Sequence, residues 1–456
     1  MLPAHRYYYL DNFQRALAWI GERYGDLVDE AEQRFLVQFG QLPLYSQALM
    51  VCMLMRCGPW FRAGKLVYEE IPDALRAAEP LLALGWLDAL HPMELQEWCA
   101  LHTKAELLQR FGAPLHAGMR KAEMLQALQC LHTAAQPFFQ WSRRAPDPAW
   151  RVMVGPLCER LRLMFFGNLH QTWSEFVLAD LGIFKYEAVA FDAASRAFQT
   201  RDDVDAYLAL HACRQALDEG QDFEGLLQSA ARCPSCNPWI EQRRAKLLLR
   251  IGQACERAQD WPRAERAYAL SRYPGARHRR MRVYELMERL GDAMGLALAA
   301  EETPESDEES QRVARLLARL RRRLGQGGRA AARSVLPAAE ARMDVELPFT
   351  QGPVEHALQR HWHSEGAPVF YVENALINSL FGLLCWPAVF MALPGAFFHP
   401  FQSGPADLGA PDFLLRRAAA FDACLVRLDD GSYRALILER FASSKACSRR
   451  SCSGAL

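Results

Sequence analysis

The sequence predicts a mainly α-helical, multidomain protein that ends in part of an α/β domain. Three observations carry that prediction. Apolar residues recur at helical spacing through roughly the first 300 positions, Gly and Pro punctuate those runs, and strand-like alternation is confined to brief segments. At 456 residues the chain has room for two to four domains, at roughly 100–200 residues each. Hydrophobic residues make up 51% of it and charged ones 23%, a composition able to offset the entropy of ordering by burial.

The 53 Lys and Arg residues balance the 53 Asp and Glu, so any nucleic-acid contact must come from local patches. The 13 cysteines, an odd number with no regular framework, suit a reducing cytoplasm. An early acidic residue and the lack of an apolar run exclude a signal peptide at the N-terminus. The most apolar stretch, 376–393, is broken by Asn378 and Pro387 and reads as a core helix with its following segment, not a membrane span.

In the first 90 residues, Phe13, Leu17, Ile20 and Tyr24 share one helical face, and Phe35, Leu36 and Phe39 restart the pattern before Pro43. Residues 46–56 form a strongly apolar helix closed by Gly58-Pro59. Phe61, Gly64, Leu66 and Tyr68 then read as a short strand, and Pro72 opens a helix ending near Gly85. Helix, helix, strand, helix resembles a winged helix. From 91 to 145, Thr103 and Glu106 form a capping box ahead of Leu107, Leu108 and Phe111. Gly112 and Pro114 break that helix, and 119–129 supplies another through Leu125 and Leu128. This pair resembles a SAP module, in which Lys104, Arg120 and Lys121 meet DNA phosphates at helix starts; ordinary solvated charges are the alternative.

Residues 142–148 read as a linker, and 146–335 as helix after helix. The unit 247–271 has the small–large alternation of a tetratricopeptide repeat, with Ala254, Ala264, Ala267 and Tyr268 where two helices approach; 282–299 is a shorter echo. The basic run 276–282 between them offers Arg279 and Arg280 as phosphate contacts, with a solvated loop as the alternative. The acidic run 301–309 and the arginine-rich run 312–333 are expected to neutralise one another as a charged helical hairpin, followed by a hinge at 325–328.

The segments 354–390 and 391–408 resemble the opening half of a VRR-NUC domain, and 53–71 and 162–182 match the same group: the bacterial members of the Fanconi-associated nuclease family. The resemblance implies a PD-(D/E)xK-type nuclease domain over 345–441 that hydrolyses phosphodiester bonds with Mg²⁺ or Mn²⁺, whose hard-cation chemistry calls for carboxylate oxygens. The resemblance also implies branched or 5′-flap DNA in cross-link repair as the substrate, with a homodimer on DNA left open. The first metal carboxylate of the family maps onto Glu373, expected in the first turn of a helix whose Leu376, Ile377, Leu380, Leu383 and Leu384 form one buried face. Asp412, in the only Pro-Asp of the region, and Glu439, ending an apolar strand, read as structural, because Phe441 stands where the family has its lysine. The remaining catalytic Asp, Glu and Lys are expected to be absent.

Residues 442–456, with five serines and no periodicity, read as an aberrant or disordered tail, so this chain is expected to have little or no nuclease activity. A non-catalytic DNA-binding or helical-repeat scaffold is the rival reading. Cys233 and Cys236 have zinc-like spacing without a second pair, and His356, His361 and His363 fit no HExxH arrangement. No nucleotide-binding phosphate loop is present.

Overall fold

The computed structural model describes residues 6–56, 58–130, 134–141, 147–176, 186–220, 222–326, 344–347, 352–373 and 375–444. They group into two compact units, Met1–Val204 with Ala392–Ala406, and Asp205–Met391 with Asp407–Leu456. Among the described residues no helix is long and apolar enough to cross a membrane.

The first unit starts with α1 (Tyr8–Tyr24), α2 (Glu30–Gln41) and α3 (Leu44–Leu54). Phe13, Leu17, Ile20 and Tyr24 are buried along one side of α1, as their spacing requires. Asp29 caps α2, and Glu32 closes the reciprocal half of the box. Strand β1 (Trp60–Arg62) gives way to a 3-10 turn over Ala63–Lys65, so the expected strand is shorter than its alternation suggested. Helix α4 (Ala74–Ala83) follows with Asp73 as its cap, then β2 (Leu87–Asp88).

The three-stranded sheet is completed from farther along the chain. Strand β5 (Ala149–Val152) lies between β1 and β2 and pairs antiparallel with both, Phe61 opposite Trp150 and Leu87 opposite Val152. A boundary at residue 146 between the N-terminal half and the helical middle is therefore corrected: strand pairing is non-local, and no local pattern reports the partner. Between β2 and β5 sits a small helical module. Strands β3 (Pro92–Met93) and β4 (Gln136–Pro137) pair at its two ends, enclosing α5 (Leu95–Ala100), α6 (Lys104–Phe111) and α7 (Lys121–Gln129), with α8 (Phe138–Trp141) following directly. Trp98, Leu107, Met124, Leu128, Phe138 and Trp141 form its core.

Helix α9 (Gly155–Phe166) ends on Gly167, whose φ of 68° is the left-handed cap conformation. The ring of Phe398 lies directly over that glycine, His399 stacks on Phe165 at 4.7 Å, and Trp19 Nε1 donates to the Phe398 carbonyl at 3.0 Å. Residues 392–406, inside the nuclease domain expected over 345–441, thus pack in the first unit. Burial of the His399 imidazole drives its pKa far down, to about 3, so it serves as a neutral aromatic plate.

From Asp205, within α10 (Arg201–Asp218), the second unit is a succession of helices, continued by α11 (Phe223–Ala231), α12 (Pro238–Arg257), α13 (Trp261–Leu270), α14 (Ala276–Leu286), α15 (Leu290–Glu302) and α16 (Asp307–Arg323). Ala254, Ala264, Ala267 and Tyr268 are all buried, as their small–large alternation requires. A Cβ on Gly252 would stand 2.5 Å from the Tyr268 ring. Gly252→Ala is therefore expected to lower Tm: overpacking at about 1–3 kcal/mol exceeds the helix-propensity gain of at most about 1 kcal/mol. A melting curve at or above the native one would contradict this.

The basic run 276–282 is the first half of α14 and not a loop. The expected hairpin of mutually neutralising acidic and basic runs is also corrected. In α16 the acids Asp307, Glu308 and Glu309 occupy the first turn and Arg321, Arg322 and Arg323 the last, each at the favourable end of the helix dipole. Arg319 and Arg323 reach back to Glu285 on α14, at 2.7 and 3.3 Å. Residues 327–343, including Arg329 and Arg333, lie outside the described residues, as does most of the 325–328 hinge.

Farther on come α17 (Val354–Trp362), α18 (Ala375–Leu384), α19 (Trp386–Val389), α20 (Phe413–Arg416), α21 (Ala418–Leu425) and α22 (Tyr433–Ser444). Leu384, Cys385, Ala388, Val389, Phe421 and Cys424 make a small core. The buried Arg417 forms a two-pronged ion pair with Asp407, at 2.8 and 2.9 Å. Among the described residues this region contains no strand. RALILERF, expected as a strand, lies in α22, where Leu436 and Ile437 pack at helical spacing against the core. That helix continues to Ser444; residues 445–456 lie outside the described residues.

Candidate functional site

In the module of α5 to α8, Thr103 Oγ1 accepts from the Glu106 amide at 3.3 Å and Glu106 Oε2 accepts from the Thr103 amide at 2.6 Å. Gly112, at a φ of 58°, ends α6. Lys104 Nζ donates to the Ala117 carbonyl just before α7, and Lys121 Nζ to the Ala100 carbonyl just before α6, at 2.5 and 3.4 Å. The starts of α6 and α7 are thereby drawn together, and Lys104, Arg120 and Lys121 stand beside two helix N-termini. Arg120 is exposed and its backbone amide donates to Glu123 at 2.6 Å.

A polar node absent from the sequence reading joins this module to the sheet. Arg62 of β1, 7% exposed, donates to Glu106 at 2.8 Å and to Asp147 at 2.9 Å, and Asp147 also accepts from the Gly64 amide at 2.7 Å. Burial disfavours the Glu106 anion, but hydrogen bonds from Thr103 and Arg62 outweigh it and hold the carboxyl down at about 2. Asp147 is likewise lowered: burial opposes, and the Arg62 and Gly64 donors prevail. No periodic signal marks these residues, which lie 44 and 85 positions from Arg62.

In the second unit Arg279 pairs with Glu256 at 3.0 Å and Arg280 with Glu265 at 2.6 Å. Both guanidinium groups are already neutralised by neighbouring helices. Cys233 and Cys236 are free thiols, and among the described residues His356, His361 and His363 gather no metal-binding group.

Glu373 is exposed, at a φ of 46°, two residues ahead of α18 and not in its first turn. The expected buried face is also corrected. Leu384 is buried, whereas Leu376, Ile377 and Leu380 are 47, 69 and 37% exposed. Amphipathic spacing marks the side of a helix that is apolar, but does not say which segment covers it. Asp412 precedes α20 and accepts from Gln242 at 2.9 Å, a structural contact, while Glu439 is exposed on α22. Among the described residues no three His, Cys, Asp or Glu side chains converge as a metal would need. Glu373 alone does not fit a divalent cation, which takes about six oxygen ligands.

Comparison with known proteins settles the kinship. The profile described as "FAN1, HTH domain" matches residues 7–88, and "Fanconi anemia-associated nuclease SAP domain" matches 92–141. A Fanconi-associated nuclease 1 homolog of Pseudomonas aeruginosa is 51% identical over 438 residues, covering 95% of this chain and 78% of that protein. The chain belongs to the Fanconi-associated nuclease 1 family. A rice homolog in the family is 23% identical, over 97% of this chain and 52% of its own length. The structure of paFAN1 bound to 2nt 5′flap DNA with gap superposes at a TM-score of 0.87 with 50% identity, covering 98% of this chain and 82% of that one. The complex with 1nt 5′flap DNA gives 0.84 over 97% and 82%. The helix-turn-helix and SAP profiles of the family coincide with α1 to β2 and with the α5–α8 module.

Proposed function

We propose that this chain engages branched DNA, 5′ flaps above all, as a structure-specific member of a nuclease family acting in cross-link repair. The observation that carries the reading is the superposition, over 98% of the chain, on a relative whose structure holds 5′-flap DNA. The helix-turn-helix and SAP modules grip the phosphate backbone without reading bases, with Lys104, Arg120 and Lys121 as contacts, and the second unit is the TPR-like part. The region after residue 345 is the VRR-NUC part, Glu373 its first carboxylate and Mg²⁺ or Mn²⁺ its cation. The protein acts in the cytoplasm on the nucleoid, and a homodimer on DNA belongs to the same reading.

The chain alone is a poor phosphodiesterase in this reading, because one exposed carboxylate cannot hold the metal. The second reading is a DNA-binding scaffold without catalysis. A labelled 5′-flap duplex incubated with Mn²⁺ separates the two. We expect tighter binding to the flap than to linear duplex and no cleavage above the metal-free background. Turnover that disappears in Glu373→Ala would restore the catalytic reading, and equal affinity for flap and linear duplex would remove the structure-specific one.

A further inference from the structure

Several arginines of the second unit are neutralised by carboxylates of neighbouring helices. Arg277, Arg279 and Arg280 of α14 meet Glu309, Glu256 and Glu265, and Arg319 and Arg323 meet Glu285. On α12, by contrast, Arg243, Lys246 and Arg250 recur at one-face spacing after Trp239, while Ile240, Leu247, Leu248 and Ile251 are buried. Among the described residues no carboxylate forms an ion pair with any of the three, whereas the neighbouring Arg244 is held by Glu241. Helix α10 brings Tyr207, His211 and Arg214 alongside at the same kind of spacing. Arg214 has a loose, largely exposed pair with Asp218 at 3.9 Å.

Aromatic rings hold the cluster in place. The Arg243 guanidinium lies 3.4 Å from the centre of the Trp239 ring and 5.4 Å from that of Tyr207, and those two rings stack at 5.6 Å. Lys246 Nζ lies 5.8 Å from the Tyr273 ring. Burial, then the charges of Arg250, Arg214 and Arg243, push the Lys246 pKa below its ordinary value. Like charges at helical spacing repel, so such a stripe destabilises the free protein and is relieved when an anion is bound.

We infer that the stripe formed by Arg214, Arg243, Lys246 and Arg250 binds the phosphodiester backbone of DNA. Its shape selects that ligand. Arg243 to Arg250 spans about 10 Å of helix at 1.5 Å per residue, a length of duplex axis over which one strand carries about three phosphates at about 3.4 Å of rise each. Guanidinium forks suit phosphate oxygens, and a linear row of cations suits a repeating anion better than a single compact one. The inference rests on the DNA-binding reading above and moves the contact in this unit from the neutralised face of α14 to the un-neutralised face of α12.

The test is a salt titration of flap binding by fluorescence anisotropy, comparing the full chain with its Arg214→Gln/Lys246→Gln/Arg250→Gln variant. The slope of log Kd against log salt is expected to fall by about 2–3 in the variant, at about 0.9 per phosphate contact, with Kd several-fold higher at low salt. Arg289→Gln, which removes an ion-paired charge elsewhere, is expected to leave the slope unchanged. If the triple variant loses its melting transition, Lys246→Gln alone carries the test with a drop of about 1. An unchanged slope, with flap binding intact in the native chain, overturns this inference and leaves the nuclease-family reading standing. A native chain that binds no DNA overturns both. A loss seen only with 5′-phosphorylated flaps assigns the stripe to a terminal phosphate and overturns the backbone assignment.

Discussion

Arg62→Ala is expected to destabilise the first unit by about 3–5 kcal/mol, the cost of breaking a buried ion pair from one side. The guanidinium is 7% exposed and serves two carboxylates, Glu106 at 30% and Asp147 at 13% exposure. Removing it strands both anions beside a low-dielectric core, while the capping box at Thr103 and the Gly64 turn each lose a partner of their own carboxylate. Arg62→Lys keeps a charge but cannot make the same fork, so it should fall between native and alanine. Urea unfolding monitored by circular dichroism checks this, and an alanine variant within about 0.5 kcal/mol of native, the range of an ordinary surface change, would show the node to be ornamental.

The same node predicts an acid response. Glu106 sits below its ordinary 4.5, at about 2, so its ion pair stabilises the fold above pH 4.5 and that contribution is lost as pH falls from 4.5 toward about 2. Without Arg62 the carboxyl returns toward its ordinary value. The unfolding midpoint of Arg62→Ala should therefore depend less steeply on pH across that window. His102, stacked on Trp98 at 3.7 Å, adds a second acid-sensitive term. Burial lowers its pKa, so stability falls as pH drops below the usual imidazole value and the unfolded chain takes up the proton.

Gly167→Ala is the second large effect, expected at about 2–5 kcal/mol. The left-handed φ of 68° costs an alanine about 1–2 kcal/mol. A Cβ there would also stand 2.2 Å from atoms of the Phe398 ring, an overlap that forces movement at about 1–3 kcal/mol. The displaced ring carries the Phe398 carbonyl that accepts from Trp19, so loss of ordered packing over 392–406 should accompany the drop in Tm. Protease sensitivity in that segment reads it out separately from global melting. A variant that melts like the native chain would show that the ring has another seat.

Several elements are legible in the sequence alone. Phe13, Leu17, Ile20 and Tyr24 marked the buried side of α1, Thr103 and Glu106 marked the start of α6, and the alanines around Tyr268 marked a close helix pair. Such signals are local: caps and 3.6-residue periodicity depend on neighbours within a turn or two. The family was readable for a related reason, since several segments match it in order.

Pairing across distance was not readable. Nothing in AWRV announces a strand that inserts between Trp60–Arg62 and Leu87–Asp88, and nothing in residues 392–406 announces that they pack on Gly167. RALILERF misled because a short apolar run suits either a strand or a helix until its neighbours are known. Arg279 and Arg280 look like free cations in the sequence and are neutralised only once α14 lies against Glu256 and Glu265. Helix positions, caps and kinship therefore followed from the order of residues, because their causes act within a few positions of the chain. Which charges stay unpaired, which strand closes the sheet and where Glu373 points were decided by folding, since each depends on groups tens to hundreds of residues away.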